Sequence, residues 1–261
     1  MSAIVCENLY KQYRDKQVLN GFDFQCENSI MFLAGRNGAG KTTFIKIAFG
    51  MEKPDKGHVR FVRDSSTKKH DIGVVFDTPC LYPHMSCQDN INIFCTGFLD
   101  DKAYVKTVLN NLHIDNELLH KSAGKCSFGQ QHRISVAIAL IRKPSFLFLD
   151  EPTIGLDPIS WELVRNSIIK NKEEQNGCVV ITGQDYFEMA SFSNELVILD
   201  AGISKYTGST KAFLESFPSE LSVTMYAPII KEIADKSKTI INNADGTVTC
   251  FFRQMSAVTR F

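Results

Sequence analysis

Nine consecutive residues, Gly35-Arg36-Asn37-Gly38-Ala39-Gly40-Lys41-Thr42-Thr43, constrain this chain more than any other stretch. An apolar run, Ile30-Met31-Phe32-Leu33-Ala34, leads into them, and Phe44-Ile45-Lys46-Ile47-Ala48 follows with the texture of a helix. A strand, a glycine turn and a helix start form the context of a phosphate cradle. The glycines let the backbone bend tightly and aim successive N–H groups at one point, where the helix N-terminus adds partial positive charge. Lys41 is placed to reach the β- and γ-phosphates of a nucleotide, and the Thr42 hydroxyl to coordinate Mg²⁺. The expectation is binding of ATP or GTP.

Composition narrows the setting. At 261 residues the chain can bury a full core, as one domain with appendages or as two small domains. Lys plus Arg and Asp plus Glu balance at 29 each, so no overall field favours nucleic acid or an acidic membrane, and no nucleic-acid partner is expected. The eight cysteines are scattered without a paired CxxC, and Met1-Ser2-Ala3 does not open a secretory signal, so they read as reduced thiols of a cytoplasmic protein. No window approaches the roughly 20 apolar residues that cross a bilayer. If the protein works at a membrane, another chain supplies the spans.

Residues 2–34 alternate short apolar runs with polar turns and read as strands in a meander, with Asn28 at a left-handed turn position. Pro54-Asp55-Lys56-Gly57 reads as a turn, 58–62 and 71–76 as strands, and 63–70 as a polar loop. Helical patterns then dominate at 88–98, 103–112 and 128–140, before strands return at 146–150, 178–182 and 196–199 with a helix near 160–172. Strands alternating with helices predict an α/β fold with a mostly parallel sheet, into which the block at about 78–142 is a helical insertion. The expected organisation is a nucleotide-binding domain over 1–214 and a small accessory flap over 215–261. In that flap 229–237 suggests a short helix, and 239–241 with 247–252 a hairpin around Asp245-Gly246.

Three further motifs carry chemistry. In Phe146-Leu147-Phe148-Leu149-Asp150-Glu151, four apolar residues make a central strand and the acids emerge at its C-terminal end, where parallel sheets place ligands. Asp150 would hold Mg²⁺, directly or through water, and Glu151 would polarise an attacking water. Cys126-Ser127-Phe128-Gly129-Gln130-Gln131-His132-Arg133 opens a long apolar helix with a second anion-friendly terminus. Pro152-Thr153-Ile154-Gly155-Leu156-Asp157-Pro158 is a rigid turn directly after the acidic pair.

In this order the residues resemble the nucleotide-binding subunit of ABC transporters, over roughly residues 2–210. The cradle, Gly35 to Thr43, matches the family's Walker A motif. Ser127-Phe128-Gly129-Gln130 looks like its signature motif, Asp150 and Glu151 its Walker B aspartate and catalytic glutamate, and Gly155-Leu156-Asp157 its D-loop. Tyr13 falls where the family stacks an aromatic ring on adenine; the plain alternative is a strand tyrosine packed into the core. The resemblance implies a P-loop NTPase core with an antiparallel β subdomain and the inserted helices. It also implies two such subunits meeting head to tail, as homodimer or heterodimer, each cradle facing the other's Ser127. ATP with Mg²⁺ is sandwiched between them, contacted by Tyr13, the cradle, Ser127, Gly129, Gln130 and Asp157. Closure moves separate membrane-spanning subunits, which hold the protein on the inner face of the cell membrane.

Three positions depart from the family pattern. Phe128 stands where the signature usually has glycine. Asp77 replaces a glutamine that senses Mg²⁺; its carboxylate can still bind the metal but cannot donate an amide hydrogen bond. The run Asp77-Thr78-Pro79-Cys80-Leu81-Tyr82-Pro83 is similar to an acidic version in exporters of the bacitracin and lantibiotic type. Gln184 replaces the switch histidine, so a neutral donor meets the γ-phosphate and slow hydrolysis is expected. The leading expectation is an exporter ATPase; an importer ATPase, a soluble ATPase acting on ribosomes or DNA, and a regulatory ATP-binding module are the competing readings.

Overall fold

The computed structural model describes residues 2–62, 72–184 and 192–216, and the strands at 221–226, 239–242 and 247–252. The chain divides into two units, Met1–Thr210 and Lys211–Phe261. In the first, strands β1 (Ala3–Tyr13), β2 (Lys16–Glu27) and β4 (Lys56–Val62) form an antiparallel sheet ordered β2-β1-β4. The second sheet takes β3 (Ile30–Ala34), β5 (Ile72–Val75), β6 (Phe146–Leu149), β7 (Cys178–Gly183), β8 (Glu195–Asp200) and β9 (Ile203–Ser209) in the order β5-β6-β7-β3-β8-β9. Its neighbours are parallel except for the antiparallel edge pair β8–β9.

The expected meander over 2–34 is corrected by this topology. The third strand, β3, leaves its neighbours and enters the parallel sheet between β7 and β8. The reason is visible in burial: all five residues of β3 are buried, as befits a strand covered on both faces, whereas β2 alternates buried and exposed positions over its second half. Asn28 does adopt a left-handed conformation, with φ 41°, at the turn between them. Lys56 and Gly57, expected in a turn, already belong to β4.

Helix α1 (Lys41–Ala48) is fastened between the two sheets by aromatic packing. The Phe44 ring lies 5.4 Å from Phe22, 5.1 Å from Phe24 and 6.1 Å from Phe148, all edge-on. The insertion between β5 and β6 contains α2 (Cys87–Phe94), α3 (Lys102–Asn111), α4 (Asn116–His120) and α5 (Phe128–Ile141), after which α6 (Pro158–Gln175) connects β6 to β7. The single-turn α4, capped by Asp115, and the edge strand β9 were not expected from sequence. No helix among the described residues is long and apolar enough to cross a membrane.

A short helix α7 (Thr210–Ser216) precedes the last sheet, ordered β10-β12-β11, from β10 (Leu221–Tyr226), β11 (Thr239–Asn242) and β12 (Thr247–Phe252). The expected pairing of 239–241 with 247–252 is present, and β10 adds an unforeseen strand. The loop at 63–70, the helix at 229–237 and the turn at Asp245-Gly246 lie outside the described residues.

Because Phe44 joins the cradle helix to both sheets, Phe44→Ala is expected to lower unfolding free energy by about 3–5 kcal/mol, read by urea denaturation.

Candidate nucleotide-binding site

The cradle is shaped by close backbone approach. Gly40, at φ 113°, leads directly into α1, and a Cβ there would sit 2.8 Å from the Val18 carbonyl oxygen and from the Leu19 side chain. Arg36, Asn37 and Gly38 are exposed, while Lys41, the first residue of α1, is 5% exposed. Its ammonium donates to the Gly35 carbonyl at 2.7 Å and the Arg36 carbonyl at 3.3 Å, and pairs with Glu151 Oε1 at 3.0 Å. The lysine thus curls back across its own loop toward the end of β6.

Asp150, fully buried at that strand end, accepts from Thr42 Oγ1 at 2.6 Å through Oδ2 and from Thr182 Oγ1 at 2.6 Å through Oδ1. Burial pushes its carboxyl up; the two hydroxyl donors oppose the shift, and the charges of Asp77 and Glu151 add to it. Thr182 also accepts the Glu151 N–H at 3.0 Å, so one hydroxyl positions both acids. Sequence reasoning missed Thr182. Its only signal was a hydroxyl in an otherwise apolar buried strand. Gln184 donates through Nε2 to Asn37 Oδ1 at 2.9 Å and to both Glu151 oxygens at 3.4 Å. The cradle, Thr42, Asp150, Glu151 and Gln184 therefore converge.

A second group gathers elsewhere on the chain. Ser127 caps α5 with a reciprocal box: its Oγ accepts the Gln130 N–H at 3.2 Å, and Gln130 Oε1 accepts the Ser127 N–H at 3.1 Å. Gly129 lies against Gly155, where a Cβ would meet the Gly155 carbonyl oxygen at 3.1 Å. Asp157 caps α6 by accepting the Ser160 N–H at 2.9 Å and its hydroxyl at 2.7 Å, bonds that hold its carboxyl below the usual range. No hydrogen bond among the described residues joins this group to the cradle. Tyr13 is 41% exposed and donates its hydroxyl to Glu52, which excludes the packed-core alternative.

Asp77 is exposed, and its Oδ1 accepts the Thr78 N–H at 2.7 Å. Among the described residues no group of three or more His, Cys, Asp or Glu side chains is arranged to hold a metal ion. Thr42 and Asp150 suit Mg²⁺ only in the way that ion usually binds, with one or two protein oxygens beside phosphates and waters.

The raised Asp150 carboxyl has a definite sign in stability. The folded chain keeps that proton to higher pH than the unfolded chain, so stability falls as pH rises through the window between the two values. Asp150→Asn is therefore expected to raise the melting temperature of the nucleotide-free protein at pH 7. The gap should shrink as pH falls below the carboxylate range, measured by calorimetry.

The ABC transporter family profile matches residues 19–154. The chain is 30% identical over 242 residues to Nod factor export ATP-binding protein I of Burkholderia orbicola, covering 87% of this chain and 78% of that protein. It is 28% identical over 232 residues to the spermidine/putrescine import ATP-binding protein PotA of Legionella pneumophila, covering 85% of this chain and 63% of that protein. Among solved structures, an ATP-binding subunit of an ABC transporter superposes with TM-score 0.72 at 21% identity, covering 82% of this chain and 92% of the other. A dimeric bacterial ABC transporter cassette gives 0.70 at 21% identity, covering 79% and 98%. With its cradle, its buried Asp150 and its capped Ser127 helix in the family's order, this chain belongs to the ABC transporter family as an ATP-binding subunit.

Proposed function

We propose that this chain hydrolyses ATP to power a membrane exporter, working with separate membrane-spanning chains and closing head to tail on a second nucleotide-binding subunit. The observation that supports it best is the partnering of Lys41. Its ammonium is held by two carbonyls and Glu151 beside the Thr42–Asp150–Thr182 hydroxyl–carboxylate cluster. A triphosphate entering the cradle offers Lys41 a stronger partner than Glu151. The freed carboxylate of Glu151 then orients and polarises the attacking water. Thr42 and Asp150 would hold Mg²⁺, which supplies charge neutralisation at the β- and γ-phosphates.

In this reading Tyr13 stacks on the base, the cradle residues Gly35 to Thr43 grip the phosphates, and Ser127, Gly129, Gln130 and Asp157 serve the nucleotide of the opposing copy. Asp77 completes the metal surroundings. ATP favours the closed pair more than ADP does, because only ATP brings a γ-phosphate that donors from both copies can meet. The protein then sits at the cytoplasmic face of the membrane through its partner chains, with 1–214 as the catalytic domain and 215–261 as an accessory.

Export is favoured by the acidic run from Asp77 to Pro83, similar to that of bacitracin- and lantibiotic-type exporters, and by the likeness to a Nod factor export protein. The likeness to a polyamine import protein supports import as the second reading. Co-purification from detergent-solubilised membranes identifies the spanning chain and decides between them.

Two variants test the chemistry. Glu151→Gln is expected to bind ATP, accumulate as a dimer on gel filtration, and lose at least about a hundredfold in turnover; undiminished hydrolysis would remove Glu151 from the catalytic role. Gln184→His should raise turnover, since a charge-assisted bond to phosphate is roughly twice as strong as a neutral one. Equal or lower turnover in that variant counts against Gln184 as the rate-limiting departure.

A further inference from the structure

Two buried thiols face each other directly behind the Ser127 helix start. Cys87, the first residue of α2, has no exposed surface, Cys126 is 7% exposed, and their sulfurs stand 3.6 Å apart. Cys126 immediately precedes Ser127, the cap of α5. Its Sγ also reaches the Ser122 carbonyl at 3.5 Å. Cys6 and Cys95, by contrast, donate to the carbonyls of Phe22 at 3.4 Å and Ile138 at 3.5 Å.

The two cysteines belong to segments that are laced together. The Cys87 N–H donates to the Lys121 carbonyl at 3.0 Å, the Ala123 N–H to the Met85 carbonyl at 2.9 Å, and Ser86 pairs with Ser122 in an antiparallel bridge. The Ser122 hydroxyl and the Gly124 N–H both donate to the Pro83 carbonyl at 2.8 Å. These bonds fix the spacing of the two backbones and keep the sulfurs in contact. A disulfide closes at about 2.05 Å, so the sulfurs have to approach by about 1.5 Å, through side-chain rotation and a small shift of the chain. The Cys126 carbonyl accepts from Gln131 Nε2 at 3.1 Å, so a shift of Cys126 is felt in the first turn of α5.

We propose that Cys87 and Cys126 form a reversible disulfide when the chain meets a peroxide, and that the bond draws Ser127 out of register with the opposing nucleotide and suspends hydrolysis. The effect on hydrolysis rests on the proposed role of Ser127; the covalent site does not.

Burial holds the Cys87 thiol up at about 12, so the first step falls to Cys126, the more exposed sulfur. Its thiolate attacks hydrogen peroxide: an S–O bond forms, the O–O bond breaks, and the departing hydroxide takes up the proton that Cys126 released and leaves as water. The Cys87 sulfur then attacks the sulfur of the resulting sulfenic acid. An S–S bond forms, the S–O bond breaks, and the Cys87 proton leaves with the hydroxide as a second water. Two thiols have lost two electrons and one peroxide has gained them. A dithiol reductant reverses the bond by exchange.

Cys80 is exposed, so Cys80→Ser serves as the parent chain for the test. After hydrogen peroxide, alkylation and digestion without reductant, mass spectrometry should find the peptides of Cys87 and Cys126 joined and two hydrogens lighter than their sum. Turnover should fall about tenfold or more, the scale of an ångström-sized misplacement in a catalytic assembly. The ATP-dependent dimer should diminish on gel filtration, while ATP affinity at the Lys41 cradle stays unchanged, and dithiothreitol should restore both dimer and turnover. Cys87→Ala in the same background should match the parent when reduced and keep its turnover under peroxide; Cys126→Ala makes the same comparison should Cys87→Ala not fold.

Absence of the joined peptide, oxidation of Cys126 that stops at sulfinic acid, or equal peroxide sensitivity in Cys87→Ala would overturn the proposal, and normal turnover in the reduced chain would then leave the proposed function standing. A joined peptide with turnover within twofold of the reduced chain would overturn the suspension of hydrolysis. No turnover in the reduced chain would overturn the proposed function and that suspension together, with the covalent site judged by the joined peptide alone.

Discussion

A single ammonium group organises the site. Lys41 is 5% exposed, and a charge so placed has to be paired and hydrogen-bonded to be tolerated. Its partners are the carbonyls of its own loop and the carboxylate of Glu151, 3.0 Å away. Glu151 reaches it from a backbone at φ 48°, a conformation uncommon for a residue with a side chain. The strained acid and the buried base therefore hold one another. In the proposed function, binding of a triphosphate and release of Glu151 for work on water would be one event, since both groups cannot hold Lys41 equally.

The parallel sheet explains how residues from distant parts of the chain reach this ammonium. Strands β5, β6, β7 and β3 are consecutive neighbours, and each ends at the same edge. Asp77 follows β5 by two residues, Asp150 and Glu151 follow β6, Thr182 and Gln184 close β7, and Gly35 follows β3. With strands about 4.8 Å apart, four adjacent ends span only about 14 Å. The open edge of a parallel sheet is where loops can converge on a ligand without disturbing the hydrophobic layers. Phe44 and Phe148 lock the cradle helix onto that sheet, and this packing adds to the hydrogen bonds that Lys41 gives to the Gly35 and Arg36 carbonyls of the phosphate loop.

How much of this was legible depended on how local each feature is. The cradle and the acids of β6 were readable because motif, strand and helix lie within a few residues of one another. The α5 cap was readable for the same reason, since Ser127 and Gln130 satisfy each other across one turn. Thr182 was not, because its meaning comes only from β7 lying beside β6. The third strand of the supposed meander was misplaced because a short apolar run does not say which sheet will bury it. Helix α4 is a single turn with no periodicity to detect, and β9 takes its conformation from pairing with β8 rather than from an apolar pattern. His132 looked like an ordinary helix residue until its burial was known.

Some positions that break ordinary rules of folding belong to the site and its sequence neighbours. Asp150 is an acid with no exposed surface, Glu151 sits at positive φ, and His132 buries two unsatisfied nitrogens. Gly155, at φ 71°, lies so close to Phe128 that a Cβ there would fall 2.3 Å from its Cδ1. Others lie away from it: Arg14, His113, Lys143 and Asn176 also take positive φ, and the buried Nε1 of Trp161 has no hydrogen-bond partner among the described residues. Such local conflicts are expected where function needs groups that folding alone would discard. What sets the conflicts at Asp150 and Glu151 apart is that both groups touch the cradle, through Thr42 and Lys41, and that is the argument that they serve the chemistry there.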